Sequence, residues 1–502
     1  MGDNNDSETE ASPSGINRYV PHLVGLMIIL VAVVIPVKIL CLGYLPEDDG
    51  LRYAAKAVSG KSWPEILVMG GNYTVDHNFG YDLLLRQIYL LAHWDAEALL
   101  DLTLVGFFAL LGICAVPWLK RPEAWLGALL VGAAGWPPLA SRMMIGRPLL
   151  LTAFALLTVL FLWHKRNAQP PGRRITVLLA GLIGLTVWTH GVWYLWVLPV
   201  TAFLLAGEYQ WAAALACAWG MGTVGGAVLT GHPLAYLHEA VLMSMRATAL
   251  HQTARTMVSE LQPVSGGLLI FLVPGALLVL RRLANLEVRP LTRDPIFWMA
   301  VLGWLLGFAV RRFWEDWGLW ALLALAACDL SLFLQSRLAA NSARRLALTG
   351  CLALAAYMTF TSDLESRWTQ SLSRQFLAET DPDLAGWLPD RGGILYAADP
   401  GFFYDTFFKN PHADWRYLLG FEMTLMPADD FETLYRILWN NAAPESFQPW
   451  VAKMRPEDRL FIRTAMTGRP PIPGLEWHYT LGGMWSGRLP RTNSPPAQPA
   501  NP

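Results

Sequence analysis

Between Leu23 and Leu45 the chain reads LVGLMIILVAVVIPVKILCLGYL, with Lys38 as its one charged side chain. A run of that length and polarity leaves few ways to fold. Lipid has to be its solvent, and in lipid every backbone N–H and C=O must be paired within the segment, as an α-helix does. The run is too long for a signal-peptide core and lacks a small-x-small cleavage pattern. It therefore reads as a retained membrane helix, with Lys38 reaching toward the interface. Comparable runs recur near 99–119, 123–140, 148–163, 175–190, 191–207, 211–230, 265–280, 295–310, 318–335 and 346–361, which predicts a mainly α polytopic protein with about eleven spans. Only 15% of residues are charged, against about 25% in soluble domains.

Sidedness follows from Lys and Arg in the short loops. Alternate connections carry Lys120, Arg121, Lys165, Arg166, Arg173, Arg174, Arg281, Arg282, Arg289, Arg293, Arg337, Arg344 and Arg345. That side is assigned to the cytoplasm of a plasma (inner) membrane protein. The N-terminus is then cytoplasmic, and the chain beyond about Ser362 is extracytoplasmic. Residues 1–20 read as a disordered tail, 21–372 as the membrane domain, 373–488 as a small soluble α/β domain and 489–502 as a second disordered tail. Within the soluble part, GGILYA (392–397), WRYLLGF (415–421) and RLFIR (459–463) read as strands, and 402–408 and 429–440 as helices. A net charge of -1 offers no footprint for nucleic acid. Cys41, Cys114, Cys217, Cys328 and Cys351 all fall in apolar runs, which encodes neither a disulfide framework nor a cysteine metal site.

The first outer loop, 46–98, is long and acidic. Leu51, Ala54, Ala55 and Val58 recur there at helical spacing, as in a helix lying in the membrane interface. The segment 231–264 has a similar stripe and receives the same reading.

Unusual polar residues gather on the outer side. Arg142 and Arg147 lie in SRMMIGRP, and Arg311, Arg312, Glu315 and Asp316 in RRFWEDWG. Arginines in short outer loops run against the positive-inside trend. Anion binding is one reason for them, since guanidinium forks match phosphate oxygens; local pairing at i, i+3 and i, i+4 within 311–316 is the other. Arg147, followed by Pro148 and with no acid near it in sequence, favours the anion. Asp48 and Asp49, at the mouth of the first span, read as a helix cap with Arg52 at i, i+4. They read equally as general-base carboxylates raised in pKa by a partly dry cavity. His190 in WTHGVWYLW is a candidate substrate contact. His77 in DHNFGYD, beside Asp76, is a candidate for a second contact or a metal ligand, and Asp76 for a substrate contact. His232, His238 and His251 have spacings of six and thirteen, which match no compact metal motif; no metal is required by the pattern.

In this combination the chain resembles the GT-C class of membrane glycosyltransferases, which includes the protein O-mannosyltransferases and the lipid A aminoarabinose transferases. The resemblance lies in Asp48-Asp49-Gly-Leu-Arg52-Tyr53 and the following AAKAVSGKSW, in DHNFGYDLLLRQIYLLAHW, in Arg147-Pro148 of MIGRPLLLTAFALLTVL, and in WLPDRGGILYAADPGFFYDTFFKNP. Close matching is confined to about 44–64 and 142–165. The resemblance implies transfer of a sugar from a polyprenyl-phosphate donor to an acceptor glycan, lipid or protein on the outer face, without a further cofactor. It implies Asp49 or Asp48 as base or acceptor-orienting group, and lipid-phosphate binding by Arg147 with Arg142 or Arg312. Two departures leave the branch, sugar and acceptor open. NFGYDLLL stands where relatives carry a Lys-Pro-Pro-Leu-like segment, and the acid pair is Asp-Asp where many have Asp-Glu. The rival reading is a non-catalytic transporter of lipid phosphates or a scaffold for envelope precursors. Against it, the ionisable groups gather at one face and no internal repeat is visible.

Overall fold

The computed structural model describes residues 18–71, 73, 75–249, 262–264, 268–286, 288–337, 342–463, 468–480 and 483–490. His251, Arg255, the Arg246 side chain and most of both tails lie outside the described residues. The molecule is mainly helical, with one small mixed sheet.

Four of the described helices are long and apolar enough to cross a bilayer: Val20–Cys41, Ala96–Ile113, Tyr209–Val228 and Arg311–Arg337. Other apolar helices have fewer than 18 residues. Glu123–Gly135 has 13 residues, because Pro137 and Pro138 follow directly and cannot continue a helix. Pro295–Gly307 also has 13 and Leu149–Lys165 has 17. Around His190, helix Arg173–Thr189 ends and a short 3₁₀ turn, Trp193–Trp196, leads into Val197–Leu205.

The first helix shows how the bundle is solvated. Val24, Ile28, Val31, Ile35 and Ile39 face helices Ala96–Ile113 and Ser342–Thr361, while Leu26, Leu30, Val34 and Val37 are exposed. A helix with apolar residues on its outward face too is built for lipid. Helix Leu319–Arg337 is buried on every side from Leu319 to Asp329 and forms the centre of the bundle. Asp329 takes a two-pronged contact from Arg281, at 2.6 and 2.9 Å. Helices Arg173–Thr189 and Tyr209–Val228 touch backbone to backbone: a Cβ on Gly226 would lie 2.5 Å from the Gly184 carbonyl oxygen. Small residues at such contacts let membrane helices approach closely.

The sheet has the order β2-β1-β3-β5-β4, with β1 (Ile394–Ala397), β2 (Arg416–Tyr417), β3 (Arg459–Arg463), β4 (Glu476–Thr480) and β5 (Met484–Arg488). β2, β1 and β3 are parallel, and β3, β5 and β4 antiparallel. Helices Gly401–Lys409 and Ala428–Trp439 pack on it. WRYLLGF supplies only a two-residue strand. The β4–β5 hairpin was not among the expected strands.

The first outer loop joins this sheet. Leu67 bridges Tyr417 in parallel, Val68 N–H donates to the Tyr417 carbonyl at 2.9 Å, and Trp63, Ile66 and Leu67 share a core with Leu395, Phe403 and Phe407. Helix Asp49–Ser59 is not an interfacial helix with one wet face. Leu51, Arg52, Tyr53, Ala54, Ala55, Ala57 and Val58 are all buried, between helices Ala96–Ile113 and Gly401–Lys409. Arg52 is 1% exposed. It can be buried because Asp49 neutralises it at 2.6 Å and Phe421 covers its guanidinium at 3.9 Å. Of the segment 231–264, Pro233–Ala249 is a helix and much of the remainder lies outside the described residues.

Candidate functional site

Asp48 occupies the N-cap position of helix Asp49–Ser59, yet its carboxylate makes no capping hydrogen bond. It reaches across the fold to Arg147, whose Nη2 donates to Oδ2 at 2.6 Å and whose Nε donates to Oδ1 at 3.3 Å. This two-pronged geometry is the strong form of the pair. Arg147 Nε also lies 3.5 Å from Asp49 Oδ2. The acids absent around Arg147 in sequence are thus supplied by the first loop.

Arg147 is held where it is by tyrosines of that loop. Tyr44 donates its hydroxyl to the Met144 carbonyl and Tyr81 to that of Gly146, at 3.1 and 3.0 Å. Gly146 has φ +64°, and the reversal it allows sets Arg147 and Pro148 at the start of helix Leu149–Lys165. Asp49 is fixed from two sides. Arg52 Nε donates to Oδ1 at 2.6 Å, and the Tyr404 hydroxyl, from the sheet domain, donates to the same oxygen at 3.1 Å. Burial, and then the nearby Asp49 charge, push the Tyr404 pKa well up, so the hydroxyl keeps its proton.

Asp49 and Arg147 open onto one cavity of about 360 Å³, which His77, Asn78, His190, Arg312 and Glu422 also line. Parts of the wall far apart in sequence are stitched together. The His77 carbonyl accepts from Gly191 N–H at 2.7 Å and from the Tyr236 hydroxyl at 3.1 Å. His190 Nδ1 lies 3.3 Å from the Thr152 hydroxyl, and His77 Nδ1 3.3 Å from that of Tyr73. Burial, only partly opposed by Asp76, holds the His77 imidazole below its ordinary pKa, so the ring is neutral at pH 7. One lip of the cavity is a π-helical turn, Trp314–Gly318, a local widening of the helix common at functional sites. The lining also includes Met243, Met245, Val310 and Phe313, so the cavity combines charged groups with apolar ones.

Two of the expected site residues stand elsewhere. Arg142 is 8% exposed and does not line this cavity; it pairs with Asp316, which does, and lies 3.6 Å from Glu315. Arg311 meets Glu315 at 2.7 Å and Arg312 meets Asp316 at 3.7 Å, so local pairing within 311–316 is present although Arg312 lines the cavity. Asp76 is 7% exposed and organises the loop: it accepts from Trp63 Nε1 at 2.6 Å and from Asn78 N–H at 2.8 Å. Asp76 belongs to a neighbouring cavity of about 470 Å³, with Asp82, Arg86 and His232.

Asp48 also faces a third cavity, of about 750 Å³, on the far side of Tyr404. Its lining includes Arg374, Asp399, Asp405 and Arg463, with Arg374 paired to Asp405. Asp48 and Tyr404 line this larger, more polar chamber and Asp49, which Tyr404 hydrogen-bonds, lines the mainly apolar one, so the three stand where the two meet. Among the described residues no group of three or more His, Cys, Asp or Glu side chains is placed to hold a metal ion.

Tyr404, Glu422 and Asn78 were not among the expected site residues. Tyr404 and Glu422 come from the sheet domain, and nothing near them in sequence marks a site. Asn78 stood inside DHNFGYD, where the adjacent ionisable pair drew the chemistry. Neither a scan of this chain against protein-family models nor a search of curated proteins finds a match.

Proposed function

We propose that this chain is an integral membrane glycosyltransferase of GT-C type, with about eleven spans, that moves a sugar from a polyprenyl-phosphate donor to an acceptor on the extracytoplasmic face. The observation that carries the reading is the pairing of Asp48 with Arg147 at 2.6 Å, beside Asp49, at a chamber that is also lined by apolar side chains. Carboxylate, guanidinium and an apolar channel side by side are what such a transfer needs.

In this mechanism the donor's lipid chain lies along the apolar wall and its phosphate exchanges for Asp48 on Arg147, with Arg312 facing it. The acceptor comes from the polar chamber. Its hydroxyl oxygen forms a bond to the anomeric carbon, its proton passes to Asp49, and the bond from that carbon to the phosphate oxygen breaks. The leaving phosphate keeps the electron pair, stabilised by Arg147. Tyr404 and Arg52 hold Asp49 in position for that proton.

The test uses the full chain purified from its native membrane. Mass spectrometry of the co-purifying lipid is expected to find a polyprenyl phosphate carrying one sugar, and Asp49→Asn is expected to lower transfer by about 10²–10⁴-fold while the protein still folds. Recovery of ordinary phospholipid alone, or full transfer by the Asp48→Asn, Asp49→Asn double variant, would overturn the proposal.

A further inference from the structure

Asn78 lines the chamber at 1% exposure, and neither its Nδ2 nor its Oδ1 has a hydrogen-bond partner among the described residues. An amide buried with both ends unpaired is costly, and such groups in folded proteins generally have a partner. Its backbone N–H is already used, on Asp76. Glu422 is the second unusual group on the same wall. Its carboxylate accepts from the Thr424 hydroxyl at 3.1 Å, and no ion pair with a cation is made among the described residues. Burial pushes the Glu422 pKa up, with Asp49 adding to the shift and the Thr424 hydrogen bonds and Arg312 opposing it.

These two groups are unsuited to the anion. Phosphate oxygens only accept, so they leave the Asn78 carbonyl unpaired, and the carboxyl oxygens of Glu422 are acceptors with no use for a further acceptor. Arg147 and Arg312 serve that end of the ligand. What satisfies an amide's donor and acceptor together is a pair of neighbouring hydroxyls, each able to give and take a hydrogen bond. The Glu422 carboxyl beside them accepts from hydroxyls as well. The chamber lining thus offers guanidinium for the phosphate, apolar side chains for the chain, and Asn78 with Glu422 for a polyhydroxylated, uncharged group.

We infer that Asn78 and Glu422 form the subsite that reads hydroxyl groups of the transferred sugar, and so set which sugar the chamber accepts. This rests on the lipid-phosphate reading above and adds specificity residues to it. Both side chains recognise substrate; the proton acceptor remains Asp49.

The experiment measures Kd for the full-length chain in detergent with four probes: farnesyl phosphate, and its mannosyl, glucosyl and galactosyl esters. At least one ester is expected to bind the wild type more tightly than farnesyl phosphate does. Asn78→Leu and Glu422→Leu are each expected to cut that sugar-dependent gain by about tenfold, the scale of a lost hydrogen-bond pair. Farnesyl phosphate affinity itself, which reports an intact fold, is expected to stay within about twofold. Glu422→Gln, a neutral isostere, should retain most of the gain. A gain that survives both leucine variants, or no gain for any ester, would overturn the subsite. Failure of the wild type to bind farnesyl phosphate at all would instead overturn the lipid-phosphate reading beneath it.

Discussion

At the scale of single residues, the site is built by giving side chains distant partners in place of local ones. Asp48 forgoes the cap its position offers, and Arg147 collects both acids of the first loop. A buried counterpart lies in the next cavity. Burial, with Asp76 beside it, pushes the Asp82 carboxyl well above the usual carboxylate range, and one of its oxygens has no partner. An acid with a raised folded pKa binds more protons folded than unfolded. Its contribution is complete below the ordinary Asp pKa of about 4 and is lost as pH rises through the raised value. Asp82→Asn is therefore expected to melt above the wild type at about pH 8 and to converge with it near pH 4, read as Tm in detergent. Part of the residue picture was legible in the chain. Asp48, Asp49 and Arg147 stood out because charge at the edge of an apolar run is expensive and needs a reason. Asp76 stood out for the same reason, yet its hydrogen bonds to Trp63 and Asn78 give it an organising role in the loop. Tyr404, Glu422 and Asn78 were invisible, since only tertiary approach gives them chemistry.

At the scale of elements, periodicity located helices well and their surroundings poorly. The stripe Leu51, Ala54, Ala55, Val58 was real, but a stripe reports one apolar face and not what covers the others. Arg52 marks the difference, because its charge is cancelled by Asp49 and its planar faces lie near Tyr53 and Phe421. The β4–β5 hairpin was passed over although EWHYT and MWSGR flank a Gly-Gly pair, a composition suited to a tight turn. The contact of helices Arg173–Thr189 and Tyr209–Val228 gives a sharp test, since the first of them ends at the cavity with His190. Gly226→Ala places a Cβ 2.5 Å from the Gly184 carbonyl and 3.0 Å from Val187 Cβ. It is expected to destabilise by about 1–3 kcal/mol. Gly225→Ala, with nothing within 4 Å, is expected to leave stability unchanged or raise it by up to about 1 kcal/mol through helix propensity. Thermal unfolding of the two variants side by side checks the pair.

At the scale of the whole molecule, the composition that demanded lipid and the switch in character near residue 373 both reappear, as an apolar helical bundle and a small sheet. What composition did not carry is that the first outer loop and the sheet share one hydrophobic core. The proposed sidedness has its own test. In a chain whose native cysteines are replaced by serine, Arg391→Cys, at a side chain 89% exposed, is expected to react with a membrane-impermeant maleimide added outside intact cells. Arg173→Cys is expected to react only after permeabilisation, and the reverse pattern would invert the topology. The Leu67–Tyr417 bridge has a consequence for how the protein is made. The ribosome delivers one half of that pairing early and the other only after nearly the whole bundle has been threaded. Until then Asp49 lacks its Tyr404 partner and the chamber lacks Glu422, so the cavity is completed only late in synthesis.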